Sequence, residues 1–211
     1  VMLEQAEARF GLKIEPSSVH FVFLHGRRWV EASTWPRCTL IGQSIGSLFL
    51  AWEALCLFRP DIMVDSMGYA FTFPLFKIIG RCRLGCYVHY PTISTDMLER
   101  VWGREVAVCN DNLVARSRIL SFAKYVYYLL FAGLYGMVGR FAEVVMVNSS
   151  WTRGHIDKLW GVPECTTTVY PPCDTSALAR LPLERATPEV GGQLVLSLAQ
   201  FRPEKDHPTQ L

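Results

Sequence analysis

The chain reads as an α/β fold with a parallel sheet, and three observations predict it. Short apolar runs rich in β-branched residues alternate with helix-length segments, the pattern of successive βαβ units with right-handed crossovers. Each run closes on polar or turn-forming residues. Reactive groups are thereby collected at strand C-terminal ends, the edge at which open α/β sheets bind ligands.

The opening stretch places Glu4, Glu7 and Arg9 among alanines and reads as an amphipathic helix with no signal-peptide core. Residues 19–24 are a β-rich run. Residues 40–58 are of helix length and carry one charge, Glu53. A strand over 61–64 follows the turn Arg59-Pro60-Asp61. After Asp65-Ser66-Met67-Gly68 comes a helix over 70–79, with Pro74 in its first turns, where a missing N–H is tolerated. Residues 85–90 are the next strand, stopped by Pro91, and 92–118 are a long polar loop with a helical piece.

Residues 125–139 are uncharged and lie between Lys124 and Arg140. A spanning helix needs about 20 apolar residues, and extension to Val147 would bury Arg140 and Glu143, at about 2.5–3.5 kcal/mol for a central Arg. A full span is disfavoured. Two readings stay open. One is a core helix packed on the sheet. The other is a helix partly sunk in a bilayer, with Tyr125, Tyr127, Tyr128 and Tyr135 at the interface and Arg116, Arg118 and Lys124 facing anionic head groups. A strand over 143–147, a helix over 152–160 capped by Ser149 or Ser150, and a strand over 166–170 complete the sheet. A proline-punctuated linker and a new strand over 193–198 place a domain boundary near residues 171–192.

With 211 residues, half of them apolar, the chain can bury one substantial core. A formal charge of +2 and a pI near 8.2 give no broad basic surface and argue against a nucleic-acid partner. Seven irregularly spaced cysteines argue against a secreted disulfide framework and for reduced thiols. Cys82 and Cys86 lack a second pair at metal-ligand spacing, so no metal is expected. No GxGxxG fingerprint, P-loop, GxSxG elbow or zinc-protease motif occurs. Asn148-Ser149-Ser150 matches a glycosylation acceptor but sits at a strand end, where a polar site wall is the preferred reading.

The candidate site residues come from those strand ends. His89, in Tyr87-Val88-His89-Tyr90-Pro91, can donate or accept a hydrogen bond to a sugar hydroxyl, or be merely structural. Gly68 lets a ligand approach the backbone, although Asp65 or Ser66 as a simple cap explains the same turn. Thr92, Ser94, Thr95 and Asp96 form a polar loop after the strand. Arg202 and Lys205 follow the 193–198 strand and suit a diphosphate at a helix N-terminus, the ordinary alternative being a solvated pair.

Five strings, Asp65 to Pro74, Tyr87 to Met97, Val144 to Thr152, Val169 to Asp174 and Gln200 to Lys205, closely resemble the α-1,2-mannosyltransferases of the dolichol-linked oligosaccharide pathway. These are retaining, metal-independent enzymes of the GT-B fold, similar to glycosyltransferase family 4. The resemblance covers essentially the whole chain, and His89-Tyr90-Pro91-Thr92-Ile93-Ser94-Thr95-Asp96-Met97 is its most specific string.

That resemblance implies a Rossmann-like acceptor domain over 1–170, a hinge over 171–192 and the start of a nucleotide-sugar-binding domain over 193–211. It implies GDP-mannose as donor substrate, no metal or other cofactor, and a dolichol-diphosphate-linked oligomannose as acceptor. The setting would be the cytosolic face of the endoplasmic-reticulum membrane, with other glycosyltransferases of the pathway as further partners. By motif, Arg202 and Lys205 would neutralise the diphosphate and His89 would contact the transferred mannose or order the cleft. Gly68, Tyr69, Thr92, Ser94, Thr95, Asp96, Asn148 and Ser149 would line the acceptor side. The family's N-terminal anchor, first glycine-rich strand and most of the donor domain have no counterpart here. The chain is therefore expected to be a fragment, inactive alone. Alternatives are a sister GT-B enzyme of other linkage, or a non-catalytic product that binds membrane or a partner.

Overall fold

Four strands, β1 (Ile62–Asp65), β2 (Arg83–Val88), β3 (Val144–Val147) and β4 (Thr166–Thr168), form one parallel sheet in the order β1-β2-β3-β4 in a computed structural model. The structure describes residues 2–103, 117–173, 175–180 and 207. The chain divides into two compact units between Pro171 and Pro172. In the first, α1 (Met2–Phe10) and α2 (Thr39–Leu57) precede the sheet, α3 (Thr95–Trp102) and α4 (Arg118–Gly139) connect β2 to β3, and α5 (Ser150–Trp160) connects β3 to β4. The described part of the second unit contains the short α6 (Ser176–Ala179).

The register pairs Asp65 with Cys86, Val88 with Val147 and Val147 with Thr168, so all four strands end along one edge. Leu84, Cys86, Val88, Val145 and Val147 are buried beneath the helices. These five share one face of the sheet, while Ile62, Val64 and Val144 on the opposite face are exposed. Phe73, Phe131, Tyr135, Ile156 and Trp160 fill the space between sheet and helices. Phe73 and Tyr135 meet Trp160 edge-on at centroid distances of 6.1 and 5.3 Å.

Helix α2 keeps its one charge because Glu53 has a purpose. Its carboxylate accepts the backbone N–H groups of His25 and Gly26 at 2.7 and 2.8 Å, which pins the 3₁₀ turn His25–Val30 to the helix. Those two N–H groups hold the Glu53 carboxyl below the usual carboxylate range.

Three elements differ from the sequence expectation. Residues 19–24 form no strand: Val19, Phe21, Val22 and Phe23 are exposed and make no ladder, although Val22 and Leu24 lie beside Ile62 and Met63 of β1. β-propensity becomes a strand only against a hydrogen-bonding neighbour, and β1 is an edge strand with no outer partner among the described residues.

The expected regular helix over 70–79 is a 3₁₀ turn, Ala70–Thr72, followed by a widened π-type helix, Leu75–Gly80. Pro74 lies between them. It has no N–H to donate and its ring crowds the carbonyl four residues back, so the α-pattern cannot run through.

The apolar helix over 125–139 begins seven residues earlier, at Arg118, where the Ser117 hydroxyl accepts the Leu120 N–H. Its tyrosines do not form an interfacial belt. Tyr128 and Tyr135 are buried, and Tyr125 and Tyr127 are half-buried against the core. The opposite face carries Ile119, Phe122, Leu129, Leu130, Leu134 and Met137, all exposed. By length and composition α2 and α4 are each long and apolar enough to cross a membrane.

Candidate functional site at the carboxyl edge of the sheet

The first wall of the site is the turn after β1. Asp65 is buried at 6% exposure, and its carboxylate accepts the N–H groups of Met67, Gly68 and Tyr69 at 3.0, 3.1 and 2.8 Å. Gly68 sits at φ +87°, a conformation that an L side chain resists. Burial raises the Asp65 pKa, and the three donated hydrogen bonds pull it the other way. Asp65 is thus the cap of this turn, and Gly68 takes the positive φ within it.

The second wall follows β2. The Thr92 hydroxyl donates to the Gly68 carbonyl at 3.4 Å, which ties the two loops. The Thr92 N–H reaches the buried Tyr135 hydroxyl at 3.5 Å. Ser94 is fully buried and its hydroxyl accepts the Met97 N–H at 3.2 Å, so it caps α3 rather than facing the cleft. The next two side chains converge on a histidine that sequence reading passed over. The Thr95 hydroxyl lies 2.8 Å from His155 Nδ1, and Asp96 Oδ2 lies 3.6 Å from His155 Nε2. His155 itself is 6% exposed.

The third wall follows β3. Ser149 caps α5 by accepting the Thr152 N–H at 3.2 Å. The Asn148 side-chain oxygen accepts from the Thr152 hydroxyl at 2.8 Å and from the Ser149 hydroxyl at 3.2 Å. Asn148 and Ser149 therefore stiffen this loop through one another. His89, expected to touch the transferred sugar, is exposed just past the end of β2, its ring edge-on to Tyr87 at 4.7 Å.

A cleft of about 490 Å³ opens between these loops and α2. It is lined by Met67, Gly68, Tyr69, Tyr90, Pro91 and Thr92 from the sheet edge, with Gln43, Ser44 and Ser47 from the helix. His89 is not among its lining residues. The polar trio on an otherwise apolar helix was the available signal for the α2 wall. It reads as ordinary helix polarity until the fold shows what it faces. Arg202, Lys205 and the strand expected over 193–198 lie outside the described residues. Among the described residues no group of three His, Cys, Asp or Glu side chains is placed to hold a metal ion.

A parallel sheet whose loops build a polar-rimmed cleft at its carboxyl edge defines a Rossmann-like α/β ligand-binding domain. The family model described as ALG11 mannosyltransferase N-terminus matches residues 1–160. Curated relatives agree. A Homo sapiens protein named GDP-Man:Man(3)GlcNAc(2)-PP-Dol alpha-1,2-mannosyltransferase is 53% identical over 100% of the chain and 42% of its own length. Proteins of the same name are 43% identical in Dictyostelium discoideum, over 100% of the chain and 42% of that protein, and 36% identical in Kluyveromyces lactis, over 98% of the chain and 35% of that protein. The chain belongs to the ALG11 mannosyltransferase family. It spans about 42% of the length of the first of these relatives. No solved structure matches it.

Proposed function

We propose that this chain is the acceptor-side part of a GT-B α-1,2-mannosyltransferase that moves mannose from GDP-mannose to a dolichol-diphosphate-linked oligomannose, for protein N-glycosylation at the cytosolic face of the endoplasmic reticulum. The observation that carries the reading is the cleft at the sheet edge. Its lining joins Gly68 and Tyr69 with Thr92, from two of the strings that carry the family resemblance, in one place. A sugar needs hydroxyl partners and close backbone approach, and the cleft offers both.

Within this scheme Gly68, Tyr69 and Thr92 receive the acceptor sugar directly. Asp96, paired with His155, offers a partly open carboxylate outside the cleft lining. Ser94, Asn148 and Ser149 act indirectly, by capping α3 and α5 and fixing the loops. The His89 carbonyl lies 3.4 Å from the Thr152 hydroxyl, which donates chiefly to Asn148 at 2.8 Å, so His89 orders the cleft through its backbone while its exposed ring is free to meet the donor sugar.

Arg202 and Lys205 would stabilise the diphosphate leaving group without a metal, their attraction growing as the glycosidic bond breaks. The exposed leucine-rich face of α4 would rest against the bilayer that holds the dolichol chain. Transfer assays on the full-length protein with GDP-mannose and the lipid-linked acceptor test the scheme. Arg202→Ala and Lys205→Ala are each expected to lower kcat about 100-fold. Normal turnover in both variants removes the diphosphate assignment, and absence of mannose transfer by the wild type removes the function.

A further inference from the structure

Two large aromatic side chains stand exposed together on the same sheet edge. Tyr90, just past β2, is 59% exposed and Trp151, in the first turn of α5, is 44% exposed. Their rings lie 5.2 Å apart with planes 30° from parallel, so they form an offset-stacked platform whose outer surface stays open to solvent. One end of the platform is continuous with the cleft, because Tyr90 also lines it.

The other end is backed by polar groups. The Trp151 indole stacks edge-on to His155 at 4.1 Å, and His155 reaches Thr95 at 2.8 Å and Asp96 at 3.6 Å. His155 is buried, whereas the Asp96 side chain is 44% exposed. The arrangement is an exposed aromatic stack joined through His155 to a partly open carboxylate.

A pyranose ring has complementary chemistry. Its axial C–H groups make one apolar face that lies against aromatic rings, and its hydroxyls at the ring edge donate to a carboxylate with charge-assisted strength. A phosphate would be repelled by Asp96, and an isoprenoid chain would make no use of the carboxylate. From Tyr90, Trp151 and Asp96 we propose a second sugar subsite, occupied by an α-mannoside unit of the acceptor glycan while a neighbouring sugar lies in the cleft. His155 is its positioning residue. The assignment rests on the mannosyltransferase reading for the identity of the sugar, but not for the existence of the platform.

Two measurements on the full-length protein decide it. In the first, a soluble α-mannoside oligosaccharide is titrated while tryptophan emission is followed. A saturable change in the wild type that Trp151→Phe abolishes is expected, and no saturable change in the wild type overturns the subsite. In the second, KM values for the lipid-linked acceptor and for GDP-mannose are compared in Trp151→Ala, Tyr90→Ala and Asp96→Asn.

The acceptor KM should rise about tenfold in each, with the donor KM within about twofold of wild type. Trp151→Phe, which keeps a ring, should stay within about threefold. An unchanged acceptor KM in both aromatic-to-alanine variants overturns the proposal. Should Trp151→Ala fail to fold, Tyr90→Ala carries the test, since its ring is the more exposed. A wild type that transfers no mannose sinks the function and leaves the titration to judge the platform.

Discussion

At the scale of single residues, the site is held by side chains bonded to its own backbone. Asp65 has the most to lose: its carboxylate is the acceptor for three backbone donors around Gly68. Asp65→Ala strands those donors, at about 1–3 kcal/mol for each one that water cannot reach. The variant should unfold at lower denaturant concentration and lose the turn. Asp65→Asn keeps an acceptor and should lose less; equal midpoints for all three proteins would show that the cap does not hold the turn.

The thiols offer a second check. Burial beside Asp65 pushes the Cys86 thiol up to about 12, and Cys82 is buried with it. Both should resist brief alkylation of the native protein while the exposed Cys38, Cys56 and Cys173 react. Mass spectrometry of the alkylated peptides reads this directly, and early labelling of Cys86 would contradict the core described here.

At the scale of elements, α4 is asked to do two things. Its inner face packs so tightly that a Cβ on Gly136 would come 2.2 Å from the Leu159 carbonyl oxygen of α5. Gly136→Ala must push the helices apart and should cost about 1–3 kcal/mol, seen as a lowered thermal midpoint. The outer face carries Leu130 at 67% exposure. Leu130→Glu therefore leaves the core intact, and any loss of vesicle flotation reports membrane contact rather than unfolding. Retained flotation of Leu130→Glu together with Leu134→Glu would remove α4 from the membrane surface.

What could be read in the sequence follows from this same division. The four-strand α/β alternation, the α5 cap at Ser149 and the apolar run of α4 are local patterns, and they were legible. Residues 19–24 were misjudged because strand formation needs a neighbour that periodicity does not reveal. The tyrosines of α4 stay between core and interface in the sequence because composition cannot say which way a helix turns. His155 was missed for a related reason: it lies 60 residues from its partner Thr95, and a lone histidine in a polar helix carries no local signal until the fold joins them.

At the scale of the whole molecule, the two edges of the sheet divide the labour. The carboxyl edge gathers the loops, clefts and exposed aromatics that suit a ligand. The amino edge carries an ion cluster that bears only on stability: Glu143, just before β3, pairs with Lys77 from the π-type helix and with Arg83 at the start of β2, the latter at 3.1 Å. Its N–H also donates to the Leu84 carbonyl at 2.8 Å, so the cluster sits where three elements enter the sheet.

Lys77 and Arg83 hold the Glu143 carboxyl below its ordinary value of 4.5. A carboxyl whose folded pKa is depressed contributes its stabilisation in full above the ordinary value and loses it as pH falls through the folded one. The thermal midpoint of the wild type should therefore decline below pH about 4.5 more steeply than that of Glu143→Gln, the two curves meeting once Glu143 is protonated. Because the cluster is solvent-exposed, added salt should narrow the gap at neutral pH. Titration at the carboxyl edge is common to both proteins and cancels in the comparison. Parallel curves through the acid range would show that the amino edge is held by the backbone ladder alone.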